Sequence, residues 1–256
     1  MDSLLSDPWF YAAAVPAVVL VGLSKGGLGG AGALAGVPLM ALVVSPVQAA
    51  AILLPILIVM DIVSLWTWRG ERDATTLRLM LPGAMLGIGI GWLTAAFVTA
   101  DAVRLIVGIV ALSFYLRWLT QKLFAGDKAA GHDRLKAGFW GVIAGFTSFV
   151  AHAGGPPYQV YALSLKQSPG LYVGTSVVFF AIVNAVKLVP YFALGQFDAT
   201  NLTASAMLMP AAPLATLAGA WIVRRMKPEI FYPFMYVTIL IVGVKLVWDG
   251  AVALWS

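Results

Sequence analysis

The chain has 256 residues, of which 61% are hydrophobic and 11% charged, with a mean hydropathy of +0.92; a water-soluble domain carries about 25% charged residues, so this composition excludes an ordinary soluble fold. It has no cysteine and two histidines, which excludes disulfides, thiolate metal sites and thioether-linked haem, and no metal or cofactor is expected. The net charge of +5 points to membrane topology through its placement along the chain, and no nucleic-acid partner is expected.

Apolar runs long enough to cross a hydrocarbon core of ~30 Å recur along the chain. Lipid satisfies no backbone hydrogen bonds, so such runs must be helices or barrel strands. The alternation of barrel strands is absent, and the sequence predicts an all-α polytopic membrane protein in contact with a lipid bilayer. The first residues carry no basic stretch, so a cleaved signal peptide is not expected; Asp7-Pro8 reads as a helix cap with a first-turn proline. In chain order the predicted helices are 9–23 and 31–44, flanking a glycine-rich break, then 47–68, 77–98 and 102–123. A basic linker, 124–136, follows. The pattern then recurs as 137–151 and 156–165 around a second break, then 170–193, 202–222 and 230–250.

The recurrence is visible residue by residue. Gly22 maps onto Gly145 at an offset of 123 (145 − 22), as do Ser45-Pro46 onto Ser168-Pro169 and Asp61 onto Asn184. A later offset of 128 (219 − 91) maps Gly83, Gly87 and Gly91 onto Ala211, Ala215 and Gly219, Asp101 onto Glu229, and Arg117 onto Lys245. Residues 1–123 and 137–256 therefore read as two repeats. Arg117, Lys122, Lys128, Arg134 and Lys136 place the linker in the cytoplasm by the positive-inside rule. Counting spans from there puts Arg69, Arg72 and Arg78 inside with Arg224, Arg225 and Lys227, and both termini outside. The repeats are then inverted, each a broken or re-entrant helical hairpin plus three transmembrane helices, as in secondary transporters.

The breaks are where polar chemistry is expected. In Ser24-Lys25-Gly26-Gly27-Leu28-Gly29-Gly30-Ala31-Gly32, glycines let backbone N–H groups turn toward a guest, a helix restarts near Ala31, and Lys25 adds a charge. That combination suits an anion. The competing interpretation is that the glycines allow close helix packing while Lys25 reaches the interface. Gly27, Gly29 and Gly32 also fit the dinucleotide fingerprint, but no strand precedes them and no acidic residue follows near position 50, so the match is discarded. In the second break, from Thr147 to Gln159, the residues Ser148, Tyr158 and Gln159 offer donors, Gly154-Gly155 opens the turn, and Pro156 suits a restarting helix. His152 is a candidate proton carrier or a neutral histidine bonded to a carbonyl.

Asp61 and Asn184 lie at equivalent points of their helices, and Lys187 follows Asn184 on the same face. Asp61 can pair with Lys25 or carry a proton; alternatively Asp61 and Lys187 sit near helix ends and bridge to neighbours. Thr175 and Ser176 add hydroxyls to the candidate lining. Trp66, Trp68, Trp118 and Trp248 read as interfacial anchors.

Taken together, Gly22-Leu23 through the glycine cluster to Pro38, Gly145 through Gly154-Gly155, and Gly174-Thr175-Ser176 with Asn184 resemble the sulfite exporter TauE/SafE family over nearly the whole chain. The resemblance implies an inner-membrane carrier for a small anion such as sulfite, sulfoacetate or another organosulfur compound. The chain departs from the family's more usual Gly-Gly-Gly runs at Lys25 and at Ala151-His152-Ala153. Two further function classes stay open: an intramembrane hydrolase using Ser148 or Ser176 with His152, and an anion channel. A homo-oligomer is compatible with all three.

Overall fold

The computed structural model describes residues 3–28, 36–37, 39–94, 99–124, 129–195 and 197–255. Among these residues there is no strand. A short 3₁₀ turn, Ser3–Ser6, precedes ten α-helices: α1 Pro8–Leu23, α2 Pro46–Thr67, α3 Ala74–Thr94, α4 Ala100–Phe124, α5 Arg134–Ala151, α6 Gly155–Ala162, α7 Pro169–Ala193, α8 Ala199–Leu208, α9 Ala211–Val223 and α10 Pro228–Trp255. Five helical stretches are long and apolar enough to span a bilayer, and the bent pair α8–α9 makes a sixth if it counts as one span. The multi-pass expectation holds at this level.

Local chemistry explains the helix starts. Asp7 accepts from the backbone N–H of Trp9 ahead of Pro8. Ser45 Oγ accepts from Gln48 N at 3.2 Å and Ser168 Oγ from Leu171 N at 3.4 Å, each just before a proline whose missing N–H needs no partner. The two Ser-Pro pairs matched in the sequence thus do the same job. Asp133 caps α5 and Asp198 caps α8 in the same manner.

Several boundaries differ from the expected ones. The first arm does not stop near residue 23; it continues through a π-helical turn, Ser24–Leu28, to give a 21-residue span. The break begins at Gly27, whose φ of 136° no other residue type adopts readily. In the second repeat the helix ends at Ala151, as the expected span 137–151 does, but it starts three residues earlier at Arg134, and only His152–Gly154 interrupt the chain. The expected helix 202–222 is bent by 47° between α8 and α9; Pro210 at the junction brings no N–H to continue the ladder. Trp68 and Trp118 are buried, unlike the exposed Trp66 and Trp248. Trp68 donates to a main-chain carbonyl and Trp118 stacks on Tyr236 at 4.1 Å, so neither is an interfacial anchor.

The helices form two compact units. The first takes residues 1–70 and 177–225, the second 71–176 and 226–256. Each unit draws on both halves of the sequence, and α7 contributes its opening turns to the second unit and the remainder to the first. In the first unit α1 packs on α9 through small residues. Gly22 lies against Ala215, Gly26 against Thr216, Gly219 and Ala220, and Gly219 against Leu23 O. In the second unit α3 packs on α5 in the same way, with Gly87 against Val142 O and Phe146 N, Gly91 against Phe149, and Gly145 against Ala84. The first unit's core is Phe10, Ala14, Ile52, Ile56, Met60 and their neighbours.

Candidate functional site

A membrane-depth helix carries charge only where something nearby compensates it, so the sparse ionisable residues locate the site. Residues 8–67 contain one lysine and one carboxylate, Lys25 and Asp61. The first unit brings them together. Lys25 Nζ lies 2.6 Å from Asp61 Oδ1, with side-chain exposures of 13% and 4%. Asp61 Oδ2 accepts from Asn184 Nδ2, also at 2.6 Å, so both carboxylate oxygens are used. The Lys25 ammonium is also 5.6 Å from the centre of the Phe180 ring, within cation–π reach.

Lys187 sits one turn beyond Asn184 on α7 and is 1% exposed. Its ammonium lies within electrostatic range of both Lys25 and Asp61. The group therefore contains two lysines and one aspartate. Neither Asp61 nor Lys187 lies near an exposed helix end, since both are buried.

The broken segment is held from α2 and α9. Distorting the helix at Ser24–Leu28 leaves carbonyls in need of donors. Ser64 Oγ donates to Lys25 O at 3.1 Å, and Trp68 Nε1 donates to Gly26 O at 2.9 Å. Arg224 stacks on Trp68, 5.1 Å from the ring centre, and donates to Thr67 O. A side chain at Gly26 would strike the α9 backbone, so glycine there serves close approach. Beside it, Thr216 is fully buried and its hydroxyl has no hydrogen-bond partner among the described residues. Such an orphan costs about 1–3 kcal/mol unless a guest or water takes it. Ser24 is buried at the end of α1. Gly29, Gly30, Ala31 and Gly32 lie outside the described residues.

The remaining candidates belong to the second unit. His152 occupies a left-handed cap with φ 52°, its backbone N–H bonded to Thr147 O, a place usually held by glycine or asparagine. Gly154 and Gly155 open α6 with Pro156 in its first turn. Ser148, Tyr158 and Gln159 are buried, and the Tyr158 ring lies 6.1 Å from that of Tyr172. Thr175 is less available than its hydroxyl suggests: Oγ1 donates to Leu171 O and accepts from Asp73 N at 2.8 Å. Ser176, next to it, is half-buried. A cavity of about 350 Å³ lies among Ile90, Ile106, Val110, Val142, Phe146 and their neighbours. Its lining is apolar, and it offers nothing to an anion.

Asp73 is a polar centre that the sequence reading did not single out. Its Oδ2 accepts from Thr76 Oγ1 at 2.6 Å and Gln167 Nε2 at 2.6 Å, and it faces His132 Nε2 at 2.7 Å. Burial raises its pKa, but the bonds from Thr76, His132 and Thr75 outweigh this and hold it below the usual carboxylate value. Ser64, Trp68, Thr216 and Arg224 were also not foreseen as parts of the site, although Ser64 could be found as the repeat counterpart of Lys187 (187 − 64 = 123).

Compared with known proteins, residues 14–246 match the family model described as Sulfite exporter TauE/SafE. No curated protein and no solved structure gives a significant match.

Proposed function

The chain belongs to the sulfite exporter TauE/SafE family, whose members are membrane transporters, and on that premise we propose that it is a secondary carrier exporting sulfite or a short organosulfur anion. The anion binds in the first unit beside Lys25, Asp61, Asn184 and Lys187, and the site opens to one side of the membrane at a time. The observation carrying this reading is the gathering of a buried lysine, Lys187, and a half-buried one, Lys25, around the single buried carboxylate of Asp61, in helices that otherwise carry no ionisable side chain except tyrosine. Charge is expensive in the bilayer and is kept where it binds or moves something. Thr216, whose backbone carbonyl faces Gly26, adds a buried hydroxyl with no hydrogen-bond partner among the described residues of the same unit.

Direction follows from the membrane potential. An inside-negative potential drives an anion outward with about 2.3 kcal/mol per charge per 100 mV, so export needs no coupling ion. The protein is proposed to lie in the inner membrane with both termini outside, because the basic residues at 69–78, 117–136 and 224–227 then all face the cytoplasm. The inverted-repeat reading draws support from packing: Gly22 and Gly219 make close helix contacts in the first unit, and their sequence counterparts Gly145 and Gly91 make close helix contacts in the second.

Reconstituted protein tests the proposal. Sulfite uptake into proteoliposomes should saturate, and Lys187→Gln should raise the half-saturating concentration at least about tenfold, a loss of about 1.4 kcal/mol. Unchanged half-saturation in both Lys187→Gln and Lys25→Gln would remove the cluster from the pathway. Current that rises without saturating would make the protein a channel.

A further inference from the structure

Two helices of the first unit end beside each other, and arginine follows both ends. α2 runs into Trp66, Trp68 and Arg69, and α9 into Trp221, Arg224 and Arg225. Arg224 joins the two ends, donating to Thr67 O and stacking on Trp68. Arg225 lies 3.8 Å from the centre of the Trp221 ring and donates to Trp221 O at 3.3 Å, and Arg69 lies 5.5 Å from the centre of Trp66. Bonds to the last carbonyls are ordinary helix-end chemistry, but each uses a small part of a guanidinium that has five N–H donors. None of the three arginines is ion-paired among the described residues. The described carboxylates of this unit are engaged elsewhere: Asp7 and Asp198 cap helix starts, and Asp61 holds Lys25. Just beyond the junction in sequence, Glu71 packs on Gly170 and Gly174, and Asp73 is bonded to Thr76, Gln167 and His132.

From this arrangement we infer that the junction of α2 and α9 is a binding site for the phosphate headgroup of an anionic phospholipid. The guanidinium fork matches phosphate oxygens in pairs, and basic clusters at the ends of spanning helices attract anionic lipid. The same helix faces offer tracks for the tails. Ile62 and Leu65 precede Trp66 on α2, Leu214 and Leu217 precede Trp221 on α9, and all are exposed at helical spacing. From Leu214 to Arg224 the chain rises about 15 Å as helix, half of a ~30 Å hydrocarbon core and so the depth of one leaflet. A zwitterionic headgroup fits less well, because its ammonium would meet three cations and no carboxylate. Occupancy reaches the broken segment through two contacts. A phosphate on Arg224 fixes the guanidinium over Trp68, and Trp68 Nε1 donates to Gly26 O at 2.9 Å, next to Lys25. Bound lipid therefore steadies the π-helical turn Ser24–Leu28.

Purified protein in an uncharged detergent tests this, titrated with dioleoylphosphatidylglycerol or dioleoylphosphatidylcholine while the thermal midpoint is followed. Phosphatidylglycerol should raise the midpoint saturably, reaching half the rise at a concentration at least about tenfold below that for phosphatidylcholine. Arg69→Gln and Arg225→Gln should each reduce that ratio, and Arg224→Gln should reduce it most. Arg134→Gln, which removes an exposed charge from the second unit, should leave it unchanged. Inorganic phosphate, which brings the charge without the tails, should not raise the midpoint at the same concentrations. Deuterium exchange of residues 24–28 should slow when phosphatidylglycerol is added to wild type. It should not slow in Trp68→Phe, which keeps a ring under Arg224 but has no donor for Gly26 O. Should Arg224→Gln fail to fold, Arg69→Gln and Arg225→Gln decide. Equal responses to the two lipids in wild type, or an effect of Arg134→Gln as large as that of the junction arginines, would overturn the site. A response to inorganic phosphate equal to that of the lipid would overturn the lipid as its occupant. Lipid binding without slower exchange would overturn the link to the broken segment.

Discussion

Asn184 donates to Asp61 across 2.6 Å, and the two residues are 123 positions apart, the offset that also relates Gly22 to Gly145 and Ser45-Pro46 to Ser168-Pro169. A residue and its repeat counterpart meet directly only close to the axis that relates the repeats, so this contact is what a duplicated, pseudo-twofold chain would show there. The pairing also explains why the counterparts differ. Two aspartates would repel, and two asparagines would leave Lys25 without a counter-charge. An amide is the isostere that can donate to the carboxylate.

Breaking this group from either side should be damaging, and the losses should couple. Removing one partner of a buried ion pair costs about 3–5 kcal/mol, so Asp61→Asn should lower the thermal midpoint in detergent markedly. Asn184→Asp alone should also destabilise, because it sets a second carboxylate against the first. The exchanged double variant keeps one carboxylate and one amide, and we expect it to be more stable than the summed single losses by about 0.5–3 kcal/mol. Strictly additive losses would show that the two side chains do not act together.

Small-residue packing gives a second prediction with an internal control. A side chain at Gly87 would run into Val142 O and Phe146 N of α5, whereas one at Gly89, two residues further along α3, would meet nothing within 4 Å. Gly87→Ala should therefore destabilise by about 1–3 kcal/mol, and Gly89→Ala should be neutral or stabilising by up to about 1 kcal/mol. In the first unit Gly219→Ala, facing Leu23 O, should behave like Gly87→Ala. Equal effects at Gly87 and Gly89 in thermal unfolding would show that helix propensity, not contact, governs α3.

His152 offers a way to separate backbone from ring. Its φ of 52° places it where asparagine is tolerated and β-branched residues are strained. His152→Asn should unfold within about 0.5 kcal/mol of wild type, and His152→Val should lose about 1–2 kcal/mol. If transport by His152→Asn matches wild type at every pH, the ring carries no proton; a lost pH dependence with stability intact would assign it one.

The membrane class and most helices were legible because lipid allows few alternatives to an apolar helix. Places where the same letters serve two purposes were not. Thr147 counts as a possible donor to a guest in the sequence, yet its hydroxyl bonds to its own helix at Ile143 O. The apolar run 202–222 hides a bend that only Pro210 hints at. Trp68 ends a span as an anchor would, but faces Gly26 O instead of lipid. At the site, the rarity of charge singled out Lys25, Asp61 and Lys187 and offered Lys25 as a partner for Asp61 beside a proton-carrying role; the contact across 36 positions is what selects the pairing.

Acid should act at Asp73. Asp73 lies in the turn ahead of α3 and is bonded to Thr76, Gln167 and His132, while its own N–H is held by Thr175. Next to it the Glu71 backbone packs so closely on Gly174 that no side chain fits there. Because these bonds hold the folded pKa below its unfolded value of about 3.9, the unfolded chain binds the proton more readily. The stabilisation is therefore complete above the unfolded pKa and is lost as the pH falls through the folded one. We expect the thermal midpoint of wild type to drop between about pH 5 and pH 3, and that of Asp73→Asn to start lower at pH 7 and change less over the same interval. His132→Gln, which keeps a donor near Asp73 without a charge, should retain most of the acid sensitivity, since Thr76 and Gln167 still bond the carboxylate. Parallel acid curves for wild type and Asp73→Asn would mean that another carboxylate governs the transition.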